Sequence, residues 1–133
     1  MATPQQWAEE LLPKLRLRGD ESLLDLGCGD GKITALLAAR LPRGQVLWVD
    51  LSPAMIELAQ SRFPPAAYPN LAIVQMDPAH LTLEPRFDRV FSNATLHWVA
   101  NHLAVLQGVR ACLRPGGRIL FQMGGRGNAA AVF

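Results

Sequence analysis

Apolar residues in this chain fall into two patterns, short uninterrupted runs and stripes at helical spacing. The runs predict five buried strands, four over residues 22–26, 45–49, 71–76 and 118–123 and another with its centre at residues 89–91. The stripes predict helices after the first, second and fourth strands, and a further helix opens the chain over about residues 4–17. Apolar strands that alternate with helices are typical of a sheet covered on both faces. The pattern therefore predicts an α/β fold with a doubly wound, mostly parallel sheet.

Polar side chains stand at or next to the carboxyl ends of four predicted strands. These are Asp25, Asp50, Asp77 and Asn93. In a doubly wound sheet, ligands bind in the crevice beyond the carboxyl ends of the strands. The four residues are therefore candidates for ligand contact.

Length and composition indicate one folded domain over residues 1–133. Of the 133 residues, 50% are hydrophobic and 18% are charged, so the chain can bury a core without disulfides or metals. Residues 124–133 show no strong pattern, and the sequence ends abruptly after them. We therefore expect a truncated chain. The fifth strand would then be an open edge, through which copies of the chain could pair as an oligomer.

Charge and cysteine usage argue against several classes of partner. The formal net charge is +2 and the 13 cations form no run, which disfavours nucleic acid and membrane surfaces. No apolar run approaches the length of a membrane span. Cys28, Cys112 and three scattered histidines lack the spacing of metal ligands. We expect a cytoplasmic protein with no metal site.

A glycine loop follows the first predicted strand. Gly27, Gly29 and Gly31 have the spacing G-x-G-x-G, whereas a dinucleotide-binding loop has its third glycine where this chain has Lys32. Asp30, inside the loop, would repel a pyrophosphate and favour a ligand that carries positive charge. A simple strand-to-helix turn is the alternative interpretation.

Four short motifs together resemble a known family, the class I S-adenosylmethionine-dependent methyltransferases. They are Leu-Asp-Leu-Gly-Cys-Gly-Asp-Gly at 24–31, Val-Asp-Leu-Ser at 49–52, Gln-Met-Asp at 75–77 and Arg-Pro-Gly-Gly at 114–117. The resemblance covers about residues 20–123. It implies a Rossmann-like core with strand order 3-2-1-4-5, and this chain ends too early for the two further strands that the family normally adds.

The resemblance implies a role for each motif residue in binding S-adenosylmethionine. Gly27 and Gly29 would let the backbone approach the methionyl part of the cofactor, and Asp25 would shape the loop or contact the ammonium group. Asp50 would accept hydrogen bonds from both ribose hydroxyls, with a turn or helix cap as its alternative role. Leu51 would cover one face of the adenine.

Asp77 would accept a hydrogen bond from the adenine amino group. In the family, the following residue often donates its backbone N–H to the adenine ring, but here that residue is Pro78, which has no N–H. Ala79 or His80 would have to supply the donor.

The segment over residues 87–99 carries a narrower resemblance. Its Ser92-Asn93-Ala94 followed by Trp98 is similar to the trans-aconitate and malonyl-thioester carboxyl methyltransferases, in which Asn93 would lie beside the transferable methyl group. His97 would act as a base or as a donor to the acceptor oxygen, or would simply pack beside Trp98. The Asn/Asp-Pro-Pro-Tyr run of base-methylating enzymes is absent from this sequence.

The function predicted from these features is methyl transfer from S-adenosylmethionine to an oxygen atom of a small molecule, and the favoured acceptor is a carboxylate. A carboxylate is already ionised at neutral pH and needs no general base, which agrees with the lack of an obvious nucleophile and base pair. Two alternatives remain open. One is an inactive cofactor-binding fragment or interaction domain, and the other is a nicotinamide oxidoreductase, which Lys32 disfavours.

Overall fold

The fold is built on one six-stranded sheet. The computed structural model describes residues 13–26, 32–84, 86–94, 102–123 and 130–132. The strands are β1 (Ser22–Leu26), β2 (Gln45–Asp50), β3 (Leu71–Gln75), β4 (Phe87–Ala94), β5 (Leu113–Met123) and β6 (Ala130–Val132). Their order is β3-β2-β1-β4-β5-β6, and every pair from β3 to β5 is parallel. The predicted doubly wound sheet with order 3-2-1-4-5 is confirmed.

Within the described ranges, three helices connect the strands. They are α1 (Lys32–Ala39), α2 (Pro53–Arg62) and α3 (His102–Cys112). Ser52 caps α2, since its hydroxyl accepts a 3.3 Å hydrogen bond from the backbone N–H of Met55 and a proline follows it at the first helical position. Of the helix predicted over about residues 4–17, residues 13–15 are helical and residues 4–12 lie outside the described residues. In the described part of the chain, no helix is long and apolar enough to cross a membrane.

Apolar side chains fill both faces of the sheet. On one face, α1 and α2 pack over a cluster that includes Trp48 and Phe91. On the other face, α3 packs over a cluster that includes Leu24 and Val90. Because β1 and β2 are buried on both sides, their sequences are mostly apolar rather than alternating.

Ionic contacts at the amino ends of the strands tie the first described segment to the sheet. The Glu21 carboxylate accepts hydrogen bonds from the backbone N–H groups of Arg18 and Gly19. Nη2 of Arg89 lies 3.9 Å from Oε2 of Glu21. Nε of the same arginine donates a 2.6 Å hydrogen bond to the carbonyl oxygen of Leu15. Burial by itself would raise the pKa of Glu21, but the two N–H donors and the Arg89 charge bring it below its ordinary value.

A second contact lies at the same end, between β1 and β4. The backbone N–H of Ser22 donates to the Asp88 carboxylate at 2.9 Å, and Arg114 donates to the same carboxylate at 3.2 Å. One side chain thus joins β1, β4 and the start of β5.

The prediction for the start of the fifth strand was wrong. β5 begins at Leu113 rather than at residue 118, and the segment 114–117 lies inside the strand. The pairing with β4 passes from Phe87–Leu113 to Arg89–Arg118, so β5 contains three more residues than β4 over this stretch. Gly116 absorbs the irregularity with a φ of +81°, a left-handed conformation that suits glycine.

The prediction that the sheet ends at an open fifth strand was also wrong. β6 pairs antiparallel with β5, with Val132 opposite Leu120 and Ala130 opposite Gln122. Three residues are too few to produce a periodic signal, which is why the sequence gives no warning of this strand. The edge through which an oligomer was expected to form is therefore occupied by the chain itself over residues 120–122.

Candidate functional site

The parallel strands bring the predicted acidic residues to one end of the sheet. In the pairing of β1 with β2, Leu26 stands opposite Val49. In the pairing of β2 with β3, Asp50 stands opposite Gln75. The backbone N–H of Met76 donates to the carbonyl oxygen of Asp50 at 2.9 Å and extends this alignment beyond the strands. Asp50 therefore ends β2, Asp77 comes shortly after the neighbouring strand β3, and Asp25 lies near the end of β1 on the other side of β2.

Asp25 is buried between β1 and α1. It is 3% exposed, and its Oδ2 accepts a 2.5 Å hydrogen bond from the hydroxyl of Thr34. Burial raises the pKa of Asp25 to about 7, the negative charge of Asp50 adds to the effect, and the Thr34 hydrogen bond opposes it. Asp25 is thus partly protonated near neutral pH, and its contact with α1 favours the first of its two expected roles, shaping the loop region.

Sequence reasoning did not identify Thr34. It is 4% exposed and is the polar member of a helix face that is otherwise apolar. A threonine in such a position only weakly indicates a buried hydrogen-bond acceptor. The fold is needed to identify that acceptor as Asp25.

Asp50 closes the turn between β2 and α2. Its Oδ1 accepts a 3.0 Å hydrogen bond from the backbone N–H of Ser52, while Ser52 itself caps the helix. The expected alternative, in which Asp50 is a turn residue, is therefore part of its role. Its Oδ2 makes no hydrogen bond within the described residues.

Leu51 is a large apolar side chain that lies in solvent beside Asp50. It is 57% exposed, and its carbonyl oxygen accepts a hydrogen bond from the side-chain amide of Gln75 at 3.2 Å. The backbone of Leu51 is thereby held while its side chain remains accessible. An apolar side chain in this position offers a surface for a flat aromatic group.

The turn after β3 is closed by Asp77. Its Oδ1 accepts from the backbone N–H of Ala79 at 2.9 Å, and its Oδ2 accepts from Nδ1 of His80 at 3.0 Å. Its carbonyl oxygen accepts from the backbone N–H of His80 at 2.9 Å. The N–H of Ala79 and the His80 ring lower the pKa of Asp77, so this carboxyl is ionised at neutral pH.

These contacts bear on the expected adenine donor. Both backbone N–H groups that were candidates, those of Ala79 and His80, donate to Asp77. Either would have to leave that hydrogen bond before it could contact a ligand. The assignment of Ala79 to the cofactor site stays a prediction.

The remaining predicted residues are Asn93 in β4, Gly27 and Gly29 after β1 in the sequence, and His97 after β4 in the sequence. Asn93 lies in β4 and pairs with Gln122 of β5. Gly27, Gly29 and His97 lie outside the described residues, so their expected roles stay predictions.

Ser92 belongs to the Ser-Asn-Ala segment, but sequence reasoning gave it no role of its own. It pairs with Leu26 and precedes Asn93 in β4. It is fully buried, and its hydroxyl has no hydrogen-bond partner among the described residues. Across those same residues, no three His, Cys, Asp or Glu side chains come together as a metal site would require.

The geometry agrees with what comparison to known proteins shows. The methyltransferase domain family matches residues 24–121. The trans-aconitate 2-methyltransferase of Methylobacterium radiotolerans is 40% identical over 116 residues, which cover 87% of this chain and 43% of that protein. The protein of the same name from Escherichia coli is 37% identical over 116 residues, which cover 87% of this chain and 44% of that protein. The chain thus spans less than half the length of these curated relatives.

Solved structures show the same fold. A methyltransferase dependent on S-adenosylmethionine from Aquifex aeolicus superposes with a TM-score of 0.77 at 20% identity, covering 86% of this chain and 62% of that one. Another from Mesorhizobium loti superposes with a TM-score of 0.74 at 28% identity, covering 91% of this chain and 55% of that one. The chain therefore belongs to the methyltransferase domain family, the S-adenosylmethionine-dependent methyltransferases that its motifs resemble.

Proposed function

We propose that this chain binds S-adenosylmethionine at the carboxyl ends of β1, β2 and β3. The chain serves in transfer of the methyl group to an oxygen atom of a small molecule, and the favoured acceptor is a carboxylate. The observation that carries the proposal is the placement of Asp25, Asp50 and Asp77 at or near the carboxyl ends of three adjacent strands in a chain of this family. Each aspartate stands where the family motif expects an acid.

The chemistry of these residues fits the cofactor. S-adenosylmethionine presents hydroxyls, an amino group and positive charge, so its site requires hydrogen-bond acceptors. The Asp50 carboxylate has one oxygen engaged by the Ser52 N–H, and its second oxygen is available in the described structure for the ribose diol. Each oxygen of Asp77 accepts one hydrogen bond, which leaves acceptor capacity for the adenine amino group.

When bound, the cofactor supplies a methyl group activated by the sulfonium. The chain's own contribution is to bind and orient, since a carboxylate acceptor already carries the charge it needs for attack. Proximity, alignment and exclusion of water are then the main sources of rate enhancement. Asn93, at the end of β4, and His97, in the segment after it, are the residues that we assign to the acceptor side.

The choice of a carboxylate acceptor draws on two observations. The segment Ser92-Asn93-Ala94 with Trp98 resembles carboxyl methyltransferases. Relatives at 37–40% identity are named for methylation of trans-aconitate, a small carboxylic acid.

A second candidate function is cofactor binding without turnover by residues 1–133. The chain covers 43–44% of the length of these relatives, so a complete acceptor pocket in them could draw on residues that have no counterpart here. Binding and methyl transfer must therefore be measured separately.

Calorimetric titration tests the binding half of the proposal. S-adenosylhomocysteine should bind with a one-to-one stoichiometry, whereas a nicotinamide dinucleotide should give no heat above dilution. Preference for the dinucleotide, or no binding of either compound, would overturn the proposal.

Transfer of labelled methyl groups tests the second half. We expect labelled ester from a panel of small acids that includes trans-aconitate, and no labelled product from matched amines. Cofactor binding without any ester would support the second candidate function. Labelled amines would overturn the choice of an oxygen acceptor.

A further inference from the structure

Helix α3 has a glycine on the face that packs against the rest of the fold. Val105, Val109 and Cys112 stand three or four residues apart on this face, and all three are fully buried. Gly108 lies on the same face, three residues after Val105 and four before Cys112. Glycine is less favourable than alanine in the interior of a helix, so a glycine here needs a reason.

Space, and not backbone conformation, requires the glycine. Positive φ angles occur among the described glycines at Gly19 and Gly116, and not at Gly108. A methyl carbon in the position of an alanine Cβ at residue 108 would lie 3.3 Å from Cβ of Leu81 and 3.4 Å from its Cδ1. Leu81 therefore occupies the volume that a side chain at position 108 would need.

Leu81 comes directly after the turn that carries Asp77. The N–H of His80 donates to the carbonyl oxygen of Asp77, and the N–H of Ala79 donates to Asp77 Oδ1, both at 2.9 Å. These two hydrogen bonds close the turn over residues 77–80. Because Cβ of Leu81 is attached to the backbone, a contact that displaces it also displaces the turn.

Apolar contacts hold this turn against the α3 side of the sheet. Met76, Ala79, Leu81 and Leu83 are partly buried and pack against the core cluster to which α3 contributes. The side chain of Asp77 is 38% exposed, so its carboxylate stands at the surface while its neighbours are anchored in the core. The depth at which Leu81 packs against α3 therefore sets the position of that carboxylate.

We propose that Gly108 is a positioning residue of the cofactor site. By leaving room for Leu81, it holds the turn over residues 77–80 where Asp77 can accept a hydrogen bond from the adenine amino group. A side chain at position 108 would displace Leu81 by a few tenths of an ångström, and a hydrogen bond tolerates only a narrow range of distance and angle. The inference rests on the proposed function and adds a residue of α3 to its adenine side.

A pair of ligands that differ in one group tests this role. Calorimetry would compare S-adenosylhomocysteine with its 6-deamino analogue, in which a hydrogen atom replaces the adenine amino group. The unmodified chain should bind S-adenosylhomocysteine about 10-fold more tightly, the size expected for a hydrogen bond to a charged acceptor. Gly108→Ala should reduce this preference to less than about 3-fold. A general loss of folded protein would weaken both ligands alike and leave the ratio unchanged.

Two further variants show whether the ratio reports the intended contact. Asp77→Ala should remove the preference altogether. Gln107→Ala, an exposed substitution on the same helix, is the matched control and should keep the full preference. Thermal unfolding should show that Gly108→Ala remains folded, because alanine favours a helix more than glycine does.

Leu81→Ala tests whether the effect passes through the Leu81 side chain. This substitution removes Cγ and Cδ1 and should also lower the preference, because the turn loses part of its anchor. The double variant of Gly108→Ala with Leu81→Ala should be no worse than the poorer single variant, since both changes act on one contact. Losses that multiply in the double variant would contradict this route.

The possible outcomes separate the two proposals. Full preference in folded Gly108→Ala, or equal binding of the two ligands by the unmodified chain, would overturn the role of Gly108 and leave cofactor binding intact. Failure of the unmodified chain to bind S-adenosylhomocysteine would overturn the proposed function itself.

Discussion

The hydroxyl of Thr34 donates a 2.5 Å hydrogen bond to Oδ2 of Asp25, joining α1 to β1 across the segment that contains the glycine motif. Both residues are buried, so the hydrogen bond is shielded from water. The contact combines a structural role, fixing the helix on the strand, with an electrostatic one, since it partly offsets the cost of a buried carboxylate.

Asp25→Asn should stabilise the fold at alkaline pH. The pKa of Asp25 is raised from 3.8 to about 7, so the folded chain binds one proton more than the unfolded chain between these values. The contribution of Asp25 to stability is therefore present below about pH 4 and is lost as the pH rises to about 7. Denaturant unfolding should show the Asp25→Asn variant gaining about 2–4 kcal/mol relative to the parent between pH 4 and pH 8. A difference that does not change with pH would contradict the raised pKa.

Thr34→Val should destabilise the fold by about 1–3 kcal/mol at neutral pH. The substitution keeps the shape of the side chain but leaves the Asp25 carboxyl without its partner. Thr34→Ser, which keeps the hydroxyl, is the control and should lose clearly less. Equal losses in the two variants, measured by urea unfolding, would show that packing rather than the hydrogen bond matters at this position.

Asp50→Ala should weaken binding of S-adenosylhomocysteine by about 1.5–3 kcal/mol. The substitution removes a charged acceptor that we assign to two ribose hydroxyls. Since Asp50 Oδ1 also accepts from Ser52, thermal unfolding should be measured alongside calorimetry. Asp50→Asn keeps a neutral acceptor and should lie between the parent and the alanine variant. Unchanged affinity in a folded Asp50→Ala chain would remove Asp50 from the cofactor site.

Glu21→Gln should destabilise the fold by about 1–3 kcal/mol at neutral pH, because the buried carboxylate accepts from Arg18 and Gly19 and lies near Arg89. The lowered pKa of Glu21 means that its contribution is present above its ordinary pKa of 4.5 and is lost as the pH falls. The difference between parent and variant should therefore diminish in acid. Asp20→Asn alters an exposed neighbour and is the control. Similar losses in both variants would assign the effect to surface charge.

The central part of the fold could be predicted because burial dictates the sequence there. β1 occupies the predicted residues 22–26, and β2 and β3 end within one residue of prediction. β1 and β2 are buried along most of their length and are mostly apolar, and Asp25, Asp50 and Asp77 stand at or near the carboxyl ends of β1, β2 and β3. Ser52 and Pro53 marked the start of α2 for an equally local reason.

The parts that escaped prediction depend on contacts between distant residues. The start of β5 at Leu113 follows from its pairing with Phe87, and β6 exists because Leu120–Gln122 offers it an edge. In the candidate site, the order of the motifs located Asp77. That Ala79 and His80 both satisfy Asp77 depends on how one turn folds, which spacing alone does not reveal.

The Asp88 carboxylate, which holds Ser22 and Arg114, has a consequence for how this domain tolerates change. Asp88 secures the strands where they enter the sheet, whereas the residues assigned to ligands stand where the strands leave it. A systematic mutational scan should therefore show a gradient along the strand axis. Substitutions at the entry end should reduce the amount of folded protein, whereas those of Asp50 and Asp77 at the exit end should leave it abundant but weaken its binding of S-adenosylmethionine. New acceptor preferences can arise at the exit end while the anchoring of the sheet stays intact.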